Sequence, residues 1–272
     1  DAEVHRDLIV EVAEVVEQVF TREGISFVKS LAESVRQDGD EIVILTRSGE
    51  EVRGDQLLVV TGRAPVVDTL DLDKAGITYS KKGIEVDKYL RTNVPNIFAI
   101  GDCIGKAQFT HNSGNQGSIA ARNALFPVNS VGINEKTLPW VTFIEPEVAH
   151  VGLTEVQARE QHGDNFKVHR FDLKDGDRSL CEDDTDGFIK IVHKGGKVLG
   201  ATIIADRAGE MITEFTLAMD NNISLRGMIG SMHAYPTYSD LVYNAVADAV
   251  IEGLFEGVTG KLIGQAKRVL PL

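Results

Sequence analysis

A chain of 272 residues, 43% apolar and 25% charged, is globular in composition and long enough for two compact units, and its formal charge of −13 argues against nucleic acid or anionic membrane surfaces as partners. No apolar run approaches a membrane span and the amino terminus carries no secretory pattern, so the cytoplasm is the expected compartment. Two isolated cysteines, Cys103 and Cys181, give neither a disulfide framework nor metal-ligand spacing.

Apolar residues at Leu8, Val12, Val15, Val16, Val19 and Phe20 recur at helical spacing, with Glu11, Glu14 and Glu17 on other faces, and Gly24 supplies a stop. Strand-like runs follow at 25–28, through an extended stretch to Val35, and at 42–45 after a turn at 37–40. A Ser48-Gly49 turn precedes a further short run at 50–52. Leu57-Leu58-Val59-Val60 predicts a short buried strand ending in Thr61-Gly62-Arg63-Ala64-Pro65. Residues 70–94 are rich in Gly and Lys, with Ile84-Glu85-Val86 the clearest apolar patch.

Ile97 to Ile100 is wholly apolar and ends abruptly in Gly101-Asp102, the pattern of a strand buried on both faces whose carboxyl end opens into a ligand crevice. Gly101 lets another molecule approach the backbone there, and Asp102 can accept hydrogen bonds from hydroxyls. Gln108-Phe109-Thr110-His111 leads into a predicted helix over 112–125, whose free N–H groups point at the same crevice, and Pro127 ends it. A buried strand end with a helix-capping Asp is the plain alternative.

Residues 128–136 are polar and irregular, the best linker in the chain. Beyond Pro139 the pattern changes. Residues 140–143 form a strand, and Thr154 with Gln157 makes a capping box that opens a helix to about His162. Residues 166–173 alternate imperfectly, as an antiparallel strand does. Two apolar runs at 188–192 and 198–204 flank Lys194-Gly195-Gly196, a clear hairpin. Helices are predicted at 209–221 and 241–254. Strands clustered with helices on one face give an antiparallel α+β domain.

Met232-His233-Ala234-Tyr235-Pro236-Thr237-Tyr238-Ser239-Asp240 is the second stretch that carries chemistry. A phenol with a pKa near 10 is a poor proton shuttle at neutral pH but a usable hydrogen-bond donor. His233 is either a base or a structural histidine bonded to backbone. Cys103 reads as a small core residue rather than a nucleophile, and Cys181, in an acidic loop, as an exposed thiol that is not a redox group.

The run from Arg91 to Cys103, Arg-Thr-Asn-Val-Pro-Asn-Ile-Phe-Ala-Ile-Gly-Asp-Cys, resembles the second flavin-binding segment of the pyridine nucleotide–disulfide oxidoreductases, the family of dihydrolipoamide dehydrogenase, glutathione reductase and mercuric reductase. The turn at 61–65 resembles the family's Gly-Arg-x-Pro turn, and residues 138–155 the opening of its interface domain, so the resemblance covers essentially the whole chain. It implies an α/β plus α+β fold: residues 1–65 as the second half of the NAD(P)-binding domain, 66–136 as the second FAD-binding segment, and 137–272 as an interface domain that forms a homodimer. It further implies that Gly101 and Asp102 meet the ribitol of FAD, that Gln108, Phe109, Thr110 and His111 sit by the isoalloxazine, and that Gly62 lies beside NAD(P)H. The role of Arg63 stays open.

The resemblance places the catalytic loop at His233, Tyr235 and Asp240, with a departure. Two of the named enzymes carry His immediately before the Pro and Glu five residues beyond that His, where this chain has Tyr235 and Asp240. Tyr235, together with Phe109-Thr110-His111 and residues 121–127, is most similar to the mercuric-reductase-like branch, yet the carboxyl terminus, Arg268-Val-Leu-Pro-Leu272, lacks that branch's vicinal cysteines. The sequence also has no Cys-x4-Cys and no Gly-x-Gly-x-x-Gly, and it opens on Asp1. The expectation is the carboxyl-terminal part of a longer flavoprotein, inactive by itself, that passes electrons from NAD(P)H through FAD to a small-molecule, disulfide or metal-ion acceptor. Transhydrogenase-type hydride exchange and a non-enzymatic dimerisation module are the alternatives.

Overall fold

The computed structural model describes residues 6–256, and their side-chain surroundings from Val10 to Phe255 except at Asn129. In chain order the elements are α1 (Arg6–Arg22), β1 (Ala32–Asp38), β2 (Glu41–Thr46), β3 (Glu51–Gly54), β4 (Tyr79–Ser80), β5 (Gly83–Ile84), α2 (Thr110–Leu125), β6 (Trp140–Thr142) and β7 (Glu147–Gly152). There follow α3 (Glu155–His162), β8 (Lys167–Asp172), α4 (Asp177–Glu182), β9 (Phe188–Lys194), β10 (Lys197–Ala205), α5 (Ala208–Asp220), α6 (Leu225–Met228) and α7 (Tyr238–Glu256). They form two compact units, Thr21–Ile133 and Asn134–Leu272 with Asp1–Phe20. Among the described residues no helix is long and apolar enough to cross a membrane.

In the unit Thr21–Ile133, β1, β2 and β3 make an antiparallel sheet in that order, and Gly39, at φ 64°, turns β1 into β2. The strands expected at 25–28 and 57–60 do not form: neither stretch pairs in a ladder, and Leu58 and Val60 are 82% and 79% exposed. An apolar run becomes a strand only where another backbone edge meets its N–H and C=O groups, and no described segment offers one. The run 97–100 is likewise not a laddered strand buried on both faces. It makes one isolated bridge, Arg91 to Phe98, and only Ala99 is buried while Ile100 is exposed.

The core of this unit is Val67, Leu72, Ile77, Ile84, Leu90, Ala99, Ile104 and Ala120. The last of these comes from α2, which starts at Thr110, two residues ahead of the predicted helix. Asn123 stitches α2 to the expected linker: its Nδ2 donates to Tyr89 O and Val131 O, and its Oδ1 accepts from Val131 N at 2.7 Å.

The other unit holds a five-stranded antiparallel sheet in the order β6-β7-β10-β9-β8. The interior strand β7, paired to the central β10 from Glu147–Ala205 to Gly152–Gly200, was not among the predicted strands. Alternation sorts the two faces. Ala149, Val151, Ile189, Ile191, Ala201 and Ile203 point at α5 and α7, where Phe215 and Leu241 are fully buried. Val148, Phe188 and Ile204 point the opposite way, against Val12, Val15 and Val16 of α1. Helices therefore cover both faces rather than one, which is why β9 is buried along almost its whole length. The capping box at Thr154 forms as predicted, and Cys181 lies on α4 rather than in a loop, with its side chain exposed.

Candidate functional site

Arg63, Ile100, Gly101, Asp102, Gln108, Thr110 and Ser113 line a cavity of about 380 Å³ in the unit Thr21–Ile133. Its floor is the turn at Gly101, which has φ 70°; a Cβ there would lie 2.8 Å from Ser113 Oγ of α2. Glycine thus satisfies both a left-handed backbone and a close approach to the helix. Gly101 N donates to the buried Gln116 Oε1 at 2.7 Å, which fixes the turn against α2. Asp102 then presents a half-exposed carboxylate, with Arg63 Nη2 3.7 Å from its Oδ2.

The helix start completes the cleft. Phe109 occupies the N-cap with extended backbone and brings no side-chain acceptor, so the first-turn N–H groups of α2 have no side-chain cap. Such an end favours negative charge or ligand acceptors. Cys103 does not act there: its thiol donates to Ile100 O at 3.1 Å and its side chain packs on the core.

Of the residues expected in this site, Gly101, Asp102, Gln108 and Thr110 line the cavity, whereas Phe109 and His111 flank the helix start with their rings stacked 5.4 Å apart. Gly62 is not in the lining; its φ of 126° calls for glycine although nothing lies within 4 Å of a Cβ built there. Ser113 and Gln116 were not anticipated. Their signal was available, since Ser113, Gln116, Ala120 and Asn123 fall at helical spacing on the inner face of α2, where polar residues must have partners.

A second group lies in the unit Asn134–Leu272 with Asp1–Phe20, on the loop between α6 and α7. Tyr235 is 68% exposed, and its hydroxyl donates to Asp177 Oδ2 of α4 at 2.8 Å. That bond to a carboxylate, and the charge behind it, raise the phenol above its ordinary pKa. His233 places Nδ1 3.0 Å from Ser231 O and Nε2 2.9 Å from Glu214 Oε2, both within hydrogen-bond distance. Burial pulls the imidazole pKa down, but the bonds to Glu214 and Ser231 and the charges of Glu214 and Asp240 outweigh it, and the net shift is upward. Ser239 Oγ donates to the other oxygen, Glu214 Oε1. Asp240 contributes its backbone N–H to Thr237 Oγ1 at 3.1 Å and sits in the first turn of α7. Tyr235 and Asp240 are therefore not hydrogen-bonded to each other; the partners of the loop are Asp177 and Glu214, which the sequence did not single out.

Residues 2–117 match the sequence profile of pyridine nucleotide-disulphide oxidoreductases, and residues 138–246 match the profile of that family's dimerisation domain. The chain belongs to the pyridine nucleotide-disulphide oxidoreductase family. Among members of this family, it is 37% identical over 225 residues to a dihydrolipoyl dehydrogenase of Chlamydia muridarum, covering 82% of this chain and 48% of the relative. It is 35% identical over 237 residues to a mercuric reductase of Bacillus cereus, covering 85% and 37%. Among solved structures, LpdA of Mycobacterium tuberculosis superposes with a TM-score of 0.80 at 26% identity, covering 88% of this chain and 53% of that one. The HOCl-induced flavoprotein disulfide reductase RclA of Escherichia coli does so at 0.80 and 25%, covering 87% and 55%. The chain spans about half the length of the dihydrolipoyl dehydrogenases it matches.

Proposed function

We propose that the protein containing this chain is a cytoplasmic, FAD-dependent oxidoreductase that passes electrons from NAD(P)H to a disulfide or metal-ion acceptor. The observation that carries this reading is the cleft at Gly101-Asp102, facing the uncapped start of α2. Its donor set fits the flavin: a half-exposed carboxylate for polyol hydroxyls, a cation beside it in Arg63, and a glycine that leaves room for the ligand against the backbone. When bound, FAD would supply the two-electron carrier between nicotinamide and acceptor. Asp102 and Gly101 hold the ribitol, and Gln108, Phe109, Thr110 and His111 border the ring, with the first turn of α2 favouring negative charge there. Gly62 lies beside the nicotinamide cofactor. In domain terms, residues 1–65 belong to the NAD(P)-binding domain, 66–136 to the FAD-binding domain and 137–272 to the interface.

The interface domain makes a homodimer, and the loop of His233, Tyr235 and Asp240 faces the electron acceptor. Tyr235 acts there as a donor, because Asp177 favours its neutral form. That same observation favours a second reading, hydride exchange between two nicotinamide cofactors, which needs no proton-shuttling base at this loop.

The test of the flavin site is Asp102→Ala in the full-length protein. Losing charge-assisted hydrogen bonds of about 1.5–3 kcal/mol weakens FAD binding roughly 10- to 100-fold. Flavin absorbance after dilution and desalting reads this out. A variant that keeps its flavin as wild type does removes the assignment.

A further inference from the structure

Glu214 lies on α5, outside every motif discussed above, and its carboxylate is engaged on one oxygen by the loop after α6 and on the other by the first turn of α7. Oε2 accepts from His233, two residues before Tyr235, and Oε1 accepts from Ser239, four residues after it. We infer that Glu214 is the positioning residue of the Tyr235 loop, holding it through His233 on one side and Ser239 on the other. The inference rests on the reading that Tyr235 faces the electron acceptor.

The chemistry of His233 makes the arrangement specific. Both of its nitrogens face acceptors, a backbone carbonyl at 3.0 Å and a carboxylate at 2.9 Å. A neutral imidazole has one N–H and can satisfy only one of them, so the pair of bonds belongs to the imidazolium. Charge-assisted bonds of this kind are the strong ones. The groups facing the ring are Glu214 from α5, Asp240 and the Tyr243 ring (5.3 Å between centroids) from α7, and the Ser231 carbonyl from its own loop. Two carboxylates therefore surround one cation, with no second cation among these groups. While it is protonated, His233 is an anchor and not a free base, since neither nitrogen then has a lone pair to offer.

Two ends of the Tyr235 turn are thus pinned to one carboxylate, and the phenol is tied at its tip to Asp177. Asp240, which stands where the resemblance expects the orienting acid, makes no side-chain hydrogen bond among the described residues, so Glu214 takes that duty from a different helix. The staple also has a pH limit. Both His233 bonds exist together only while the ring carries its second proton, and one of the two is lost as pH rises through the imidazole's raised value.

The experiment uses the full-length protein with Glu214→Gln, which keeps the shape and removes the charge, and Ser239→Ala, which removes the second arm should the first variant misfold. The titration of the His233 ring, followed by NMR and assigned with His233→Gln, is expected to fall by about one pH unit in Glu214→Gln. Acceptor reduction is expected to fall about tenfold in kcat with KM for the nicotinamide cofactor unchanged. In a Tyr235→Phe background the same substitution is expected to add nothing, because the two residues act as one unit. An unmoved His233 titration, or losses that simply multiply, overturns the inference. If Tyr235→Phe alone leaves acceptor reduction intact, the reading of Tyr235 fails, while the His233 titration still decides the staple.

Discussion

Nζ of Lys190 lies 2.8 Å from Oε2 of Glu155, on the face of the five-stranded sheet that α1 covers. Strand alternation puts this cation on the same face as Phe188, and Glu11 of α1 closes the other side of it at 2.9 Å. A lysine only 10% exposed needs such partners, since an unpaired buried ammonium is costly. Lys190→Met should destabilise its unit by about 1.5–3 kcal/mol, the range for hydrogen bonds to charged groups. Urea denaturation measures it. The hydrogen bond from Lys190, against opposing burial, holds Glu155 below the ordinary carboxylate range. This contribution is full above the unfolded value of about 4.3 and disappears as pH falls through the depressed one. Lys190→Met should flatten that acid limb.

Tyr235 should titrate later than a free phenol, because its hydroxyl donates to the Asp177 carboxylate. Asp177→Asn removes the charge and keeps an acceptor, so the phenol should return toward about 10. Ultraviolet difference absorbance of phenolate, with Tyr235→Phe as the subtraction control, reads the shift. A late titration that persists in Asp177→Asn would assign it to another cause.

Gly101→Ala should damage the cleft locally. A side chain at φ 70° costs roughly 1–2 kcal/mol in backbone strain. The added methyl also meets Ser113 Oγ at 2.8 Å. Pairing it with Ser113→Gly relieves the contact but not the backbone strain, so stability should recover only in part. Thermal unfolding of the two variants separates the terms.

Phe215→Ala should cost about 3–5 kcal/mol, because the ring is fully buried between α5 and the sheet. A loss below 1 kcal/mol would mean that the α5 face is not the core of this domain. Circular dichroism melts report it without any need for bound cofactor.

Much of this protein is determined locally and was therefore legible in the sequence. The β9–β10 hairpin follows from two apolar runs around Gly195 and Gly196, which take φ 58° and 81°. The start of α3 follows from the reciprocal bonds of Thr154 and Gln157. Gly101-Asp102 before α2 marked the cleft, because a glycine turn, an acceptor and a helix start are adjacent in the chain. The tertiary structure alone decided what depends on distant partners. Asp177 is 58 residues from Tyr235 and Glu214 is 19 from His233, so no spacing rule joins them. The same cause explains the run 57–60: its side chains suit a strand, but a strand is a pairing of two backbones, and the second one is not written in those four residues.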